Sequence, residues 1–165
     1  MGRMALEARP TGAVRREEEV ALKLKGSVFI DRPVEQVWAY LNDESHDPIW
    51  RRPYCKRLVR NGPVGTGTRY DGVDNMGQYV NVITRFEPPN RLTWREESHR
   101  PLQQQEGSYI LGRDGTGTNM TLELNYVSNG FQGALMSAVL SMMAQSTGRR
   151  LLNQLKAGVE AEPAR

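Results

Sequence analysis

The sequence predicts an α+β domain in which a curved antiparallel sheet of seven strands wraps around one long C-terminal helix. The chain has 165 residues, a length that fits a single domain. An alternating apolar segment comes first, and six further short segments follow it between turns rich in Gly, Pro, Asn and Asp. A long uninterrupted helical pattern ends the chain. Strands in series before a long helix are typical of an antiparallel sheet covered by that helix.

The first strand and two short helices begin the domain. Even positions between Val20 and Ile30 are mostly apolar and the odd ones include Lys and Ser, which predicts a half-buried strand. Asp31 is expected to cap the next helix, and Pro33 suits its first turn because proline has no N–H to leave unpaired. A second short helix is expected over 44–50.

Six strands then follow in series, connected by short turns that favour antiparallel pairing. They are expected at 55–61, 68–74, 78–88, 91–98, 107–114 and 118–127. A helix is predicted over 130–159. The chain shows no internal repeat, so we expect a flexible N-terminal arm over 1–17, one domain over 18–160 and a C-terminal tail over 161–165.

Composition excludes several classes of function. The net charge is +3, too small to argue for nucleic acid. Cys55 is the only cysteine, so neither an intrachain disulfide nor a cysteine zinc site can form, and the two histidines lie far apart. We expect no metal and no cofactor. The N-terminus lacks the apolar core of a signal peptide, which favours a cytoplasmic protein. Residues 129–147 are uncharged, but Gln and Ser interrupt them, which argues against a transmembrane segment.

Four stretches together resemble a known superfamily: "SVFIDRPVEQVWAYLNDESHDPIW", "GPVGTGTRYD", "VITRFEPPNRLTW" and "DGTGTNMTLELNY". With the late amphipathic helix, they are similar to the START/Bet v1-like (SRPBCC) superfamily, and within it to the polyketide cyclase/dehydrase-like branch. The resemblance covers roughly residues 21–156. Its strongest part is the "P-x-x-x-V-W" pattern of Pro33, Val37 and Trp38, which is a signature of the fold and carries no chemistry.

The resemblance implies a helix-grip fold with a deep, mostly apolar cavity. Members of this superfamily bind lipids, polyketides, hormones and other hydrophobic molecules, and a minority catalyse cyclisation or dehydration. The branch has no catalytic motif to carry over. The adjacent Ser45, His46 and Asp47 cannot adopt the geometry of a catalytic triad, since consecutive side chains diverge. "GPVGTGTR" has Thr68 where a phosphate-binding loop needs Lys, so it is read as a turn.

Candidate ligand-binding residues are those whose side chains are expected to point into the cavity, which is usually apolar with a few polar groups. The faces of the strands over 66–74 and 78–86 are ambiguous, because both mix polar and apolar residues. The candidates are Trp50, Tyr70, Tyr79, Trp94, Glu96, Tyr109, Met120, Leu122, Leu124, Leu135, Val139, Met142 and Met143. For catalysis, Glu96, Tyr109 and Arg85 are the first residues to test, since burial would shift the pKa of an acid or base there.

Three hypotheses of function follow. The first is a protein that binds a small hydrophobic or aromatic molecule, lipid or polyketide-like, between the sheet and the last helix. The second is a cyclase, aromatase or dehydrase. The third is a protein- or membrane-interaction module that uses the basic stretch over 51–60 and the N-terminal arm. Two other interpretations of this stretch are a solvated surface and a rim that steers an acidic ligand. Ligand identity, catalysis and oligomeric state stay open.

Overall fold

A computed structural model describes residues 20–163 of the chain, so the expected arm over 1–17 lies outside the described residues. The order of elements is one strand, two short helices, six strands and one long helix. The elements are β1 (Val20–Ile30), α1 (Val34–Leu41), α2 (Asp47–Trp50), β2 (Cys55–Asn61), β3 (Arg69–Asp74), β4 (Gly77–Glu87), β5 (Arg91–Glu96), β6 (Leu102–Asp114), β7 (Gly117–Ser128) and α3 (Gly130–Ala161).

The seven strands form one antiparallel sheet in the order β1-β7-β6-β5-β4-β3-β2. Strands β2 to β7 are therefore a meander, and β1 closes onto β7 with Ile30 opposite Thr118. The predicted α+β class, the seven-stranded antiparallel sheet and the long C-terminal helix are confirmed, and the arrangement is a helix-grip fold.

Two local predictions were wrong. The cap of α1 is Pro33 and uses no side chain, while the Asp31 amide donates to the Glu160 carboxylate at 2.8 Å. Strand β6 begins at Leu102, five residues before the predicted start. Polar side chains and a register shift between Gln104 and Glu106 hide its alternation in the sequence.

The hydrophobic core lies between the concave face of the sheet, α1 and the second half of α3. Alternate residues of the strands point to this face, because successive side chains of a strand point to opposite sides. Fully buried members from the sheet and helices are Ile30, Val34, Val37, Ile83, Met120, Leu155 and Val159.

The two halves of α3 are held very differently. The second half buries Leu151, Leu152, Leu155 and Val159, and its end accepts hydrogen bonds from the Arg32 guanidinium and the Asp31 backbone N–H, both in the segment between β1 and α1. In the first half, buried positions are Gly133 and Ser137. None of the helices in the described part of the chain is long and apolar enough to cross a membrane.

Candidate functional site

A cavity of about 530 Å³ lies between the concave face of the sheet and α3. This volume is within the range of about 300–1,000 Å³ that is usual for small-molecule sites. Its wall is mostly apolar, and it opens to solvent beside the first half of α3, where Leu135 and Val139 are more than half exposed. The fold thus presents a cavity with one buried end and one open end.

Two strands and the helix supply the apolar part of the wall. On β7 the alternation places Leu122, Leu124 and Tyr126 toward the cavity, and on β1 it places Leu22 and Leu24 there. On α3 one stripe at a spacing of three or four residues faces the cavity. This stripe consists of Met136, Leu140, Ala144, Thr147 and Leu151.

Polar side chains gather at the buried end. The Arg51 guanidinium, the Cys55 thiol, the Tyr79 hydroxyl and the Asn81 amide all belong to the wall. The Tyr79 hydroxyl lies 3.8 Å from the Cys55 sulfur. Burial raises the pKa of Tyr79 and the pKa of the Cys55 thiol, so both stay protonated at neutral pH. This end therefore carries hydrogen-bond donors from Arg51, Tyr79 and Cys55, none of them negatively charged.

Among the residues that the structure describes, Arg51 has one ionic partner, which lies outside the wall of the large cavity. Its Nη1 donates to the Asp47 carboxylate at 3.0 Å, and Asp47 is 4% exposed. Burial raises the pKa of the Asp47 carboxyl, and the neighbouring Arg51 opposes that rise. The guanidinium carbon also lies 5.5 Å from the ring centre of Trp50 and 5.8 Å from that of Trp94. Such contacts hold a cation over aromatic faces.

A second charged group stiffens the rim. Arg100 pairs with Glu96 at the end of β5 and with Asp74 at 2.7 Å, and its guanidinium lies 5.0 Å from the ring centre of Tyr79. The β3–β4 turn carries Asn75 and Met76 onto the same rim. This cluster ties the ends of three strands together beside the opening.

Six of the candidate ligand-binding residues lie in the cavity wall: Trp50, Tyr79, Leu122, Leu124, Leu135 and Val139. Three others, Tyr70, Trp94 and Tyr109, line a smaller inner void of about 40 Å³. Arg51 and Asn81 border both spaces. The odd positions of β4 are its buried face, with Tyr79, Asn81 and Ile83 inward.

The remaining expected site residues lie outside the wall. Met120 is completely buried in the core behind it. Met142 is 89% exposed and Met143 is about half exposed, because they fall between the turns of the stripe that faces the cavity. Glu96 is buried in its pair with Arg100, and Arg85 is an exposed residue paired with Glu87. The expectation that the two methionines line the cavity is wrong.

Several wall residues were not predicted. Arg51 stood in a basic run that resembled a solvated surface, and Arg100 in a predicted turn. The alternation of β1 was a usable signal for Leu22 and Leu24, whereas the turn residues gave none. The wall residues that are not in the candidate list given above are Leu22, Leu24, Arg51, Tyr54, Cys55, Asp74, Asn75, Met76, Asn81, Arg100, Leu102, Gln104, Tyr126, Met136, Leu140, Ala144, Thr147 and Leu151.

The basic stretch is divided between the interior and the surface. Arg51 is inside, and Arg60 forms an ion pair of 3.5 Å with Glu44. Within residues 20–163, the exposed Arg52, Lys56 and Arg57 have no acidic partner. The stretch is therefore a smaller surface charge than its sequence indicates.

Comparison with known proteins gives one family and many similar structures. The family model described as "Polyketide cyclase / dehydrase and lipid transport" matches residues 21–160. No curated protein sequence matches the chain significantly.

Solved structures share the fold at low sequence identity. TTHA0849 from Thermus thermophilus is 20% identical with a TM-score of 0.69, over 85% of this chain and 98% of that one. The Zhui aromatase/cyclase from Streptomyces sp. R1128 is 14% identical with a TM-score of 0.69, over 84% and 93%. The di-domain ARO/CYC protein BexL is 18% identical with a TM-score of 0.66, over 86% of this chain and 51% of BexL. Identities this low establish the common fold.

Proposed function

The chain belongs to the family described as polyketide cyclase / dehydrase and lipid transport, and from this premise we propose that it binds a small hydrophobic or aromatic molecule in the cavity under α3. The observation that carries the proposal is the cavity itself, about 530 Å³ with a mainly apolar wall and a buried polar end. Apolar walls with a few converging polar groups are typical of small-molecule sites. We place this activity in the cytoplasm, as the lone cysteine favours.

Native mass spectrometry of the protein purified from its own host tests the proposal directly. We expect a retained adduct that is absent from the denatured mass, and the mass difference gives the chemical class of the ligand. A saturable signal from an added fluorescent fatty acid is the matching result with purified components. A protein that carries no adduct and gives no saturable signal contradicts the proposal.

A pair of variants on one helix shows whether a bound molecule is inside the cavity. Ala144 is in the cavity wall and Ala138 is on the exposed side of the same helix. Ala144→Phe places a ring in the space where the ligand would lie, so we expect binding to fall at least tenfold. Ala138→Phe adds the same ring outside and should leave binding unchanged. Equal binding by both variants would place the ligand elsewhere.

A cyclase or dehydrase is the second candidate, and the donors at the buried end favour it. Arg51 and Tyr79 both present N–H or O–H groups to the cavity, and such donors stabilise the charge that develops on a carbonyl oxygen during cyclisation. A shaped cavity also holds a flexible chain in a reactive conformation.

The variant Tyr79→Phe distinguishes a cyclase or dehydrase from a protein that only binds its ligand. If the protein is an enzyme, turnover of a poly-β-ketone substrate should fall by roughly 10²–10³-fold, as for the loss of one oxyanion donor, while binding is retained. Glu96→Gln, which acts on a residue outside the wall, is the control for structural effects on the rim. Unchanged turnover in Tyr79→Phe would show that this hydroxyl does not act as an oxyanion donor.

A further inference from the structure

Arg51 is the one charged side chain at the buried end of the cavity wall, among the residues that the structure describes. It follows the last turn of α2, and its side chain is 15% exposed. An arginine in an apolar site is costly to desolvate unless its charge is compensated. The extent to which the protein itself compensates the charge of Arg51 therefore indicates which kind of ligand the cavity accepts.

Besides the rings of Trp50 and Trp94, the protein compensates the charge of Arg51 through one hydrogen-bonded edge of the guanidinium. In the described part of the chain its hydrogen-bond partner is Asp47, through Nη1 alone, and a guanidinium carries five N–H donors. Asp47 borders the small inner void and is not in the wall of the large cavity. Asp47 thus binds Arg51 from the side of the inner void, whereas Arg51 also borders the large cavity and its other N–H groups make no hydrogen bond within residues 20–163.

The groups around Arg51 on the cavity side are neutral. The Tyr79 hydroxyl and the Cys55 thiol stay protonated at neutral pH, since burial raises the pKa of each. The Asn81 amide is uncharged and 5% exposed. Asp74 and Glu96 also lie near Tyr79, but Arg100 binds both of them. Within residues 20–163, Asp47 is therefore the one carboxylate that would compete with an incoming anion for Arg51.

We infer that the cavity takes an amphipathic carboxylic acid, whose carboxylate pairs with Arg51 and whose apolar body lies along Leu122, Leu124 and α3. This inference rests on the proposed function and names the class of its ligand. The planar fork of a guanidinium matches the two oxygens of a carboxylate, and charge-assisted hydrogen bonds are about twice as strong as neutral ones. Tyr79 and Asn81 provide further donors to the same oxygens.

The test compares two ligands that differ only in the head group, decanoic acid and 1-decanol. Each displaces the uncharged fluorescent probe N-phenyl-1-naphthylamine at pH 7.4, where the acid is ionised. In the wild type we expect decanoate to bind roughly tenfold to a hundredfold more tightly than the alcohol, the range expected of a charge-assisted hydrogen bond. Arg57→Met removes an exposed arginine and should leave this ratio unchanged.

Three variants assign the preference to Arg51. Arg51→Met should bring the ratio to about one. Because that change leaves Asp47 buried without its partner, Asp47→Asn/Arg51→Met removes both charges and should give the same ratio in a folded protein. Asp47→Asn alone frees the whole guanidinium and should raise the ratio above that of the wild type.

The outcomes separate the inference from the proposed function. If both ligands displace the probe equally in the wild type, the inference is overturned while the hydrophobic site stands. If the preference survives in Asp47→Asn/Arg51→Met, the carboxylate pairs with another cation and the inference is equally overturned. If neither ligand nor probe binds, the proposed function itself fails.

Discussion

Gly133 lets the first half of α3 sit against the loop between β5 and β6. The space beside its Cα is occupied by the Pro101 carbonyl, whose oxygen also accepts a hydrogen bond from the backbone N–H of Asn129 at 2.7 Å. A Cβ at this position would lie 2.9 Å from the Pro101 carbonyl carbon and closer still to its oxygen. Carbon atoms in contact are about 3.5 Å apart, so Gly133→Ala forces the helix to move by at least about 0.6 Å.

Gly148 offers the matched control, since it lies in the same helix and an added Cβ there meets nothing within 4 Å. Replacing a glycine inside a helix by alanine stabilises the fold by about 0.5–1 kcal/mol when there is space. Gly148→Ala should show this gain. Gly133→Ala makes the same gain but overpacks a backbone contact, which costs about 1–3 kcal/mol. The two variants should thus differ by about 1–3 kcal/mol in the free energy of unfolding.

Urea denaturation followed by circular dichroism measures both values. Displacement of α3 also moves Leu135 and Met136 in the cavity wall, so Gly133→Ala should weaken probe binding while Gly148→Ala leaves it unchanged. Equal stabilisation by the two substitutions would refute the reasoning. It would mean that the first half of α3 does not rest on Pro101 in solution.

Further predictions concern the core, the tyrosines and the thiol. Leu155→Ala, at a completely buried position, should lower the free energy of unfolding by about 2–5 kcal/mol, whereas Met142→Ala on the exposed side of α3 should change it little, as urea denaturation will show. Burial raises the pKa of five tyrosines, so absorbance at 295 nm should show that their phenols ionise at a higher pH in the native protein than in the unfolded chain. The free energy of unfolding should fall as the pH rises above about 10, because the folded state retains protons that the unfolded chain releases. A native titration that matches the one in urea would contradict this. These tyrosines are Tyr40, Tyr70, Tyr79, Tyr109 and Tyr126. Burial also raises the pKa of the Cys55 thiol, so a disulfide reagent at pH 8 should react with it more slowly in the native protein than in urea. Bound decanoate should slow this reaction further, because Cys55 is in the cavity wall. A native rate equal to that in urea would show that the thiol is accessible.

The sequence predicted the sheet well where one face of a strand is clearly apolar. The alternation of Leu122 and Leu124 on β7 correctly placed both in the wall. Strand β4 carries polar side chains on its buried face, Asn81 among them, so its pattern could not tell inside from outside. Those polar residues belong to the candidate site. A strand that contributes polar side chains to a cavity wall loses the alternation of apolar and polar residues by which its buried face is recognised in the sequence.

The predictions for α3 and for Arg51 were wrong for other reasons. Because residues 129–147 are uncharged, no charge marks the solvent side of the first half of α3, and Met142 could not be assigned to a face from its sequence. Arg51 is mostly shielded from solvent because it follows α2 and its guanidinium lies beside the rings of Trp50 and Trp94, an effect of tertiary packing. Its neighbours in sequence, Arg52 and Lys56, are exposed, and composition does not distinguish the three.

Because only the second half of α3 is firmly packed, folding stability and the shape of the cavity opening depend on different residues of this helix. Folding stability resides in the second half, around Leu155 and Val159, whereas the first half shapes the opening of the cavity with residues such as Leu135 and Val139. Substitutions at the exposed positions of the first half, away from Gly133 and Ser137, should therefore be tolerated by the fold and still alter which molecules enter. A scaffold of this kind lets ligand preference diverge rapidly during evolution, and it makes this segment a suitable target for library-based engineering.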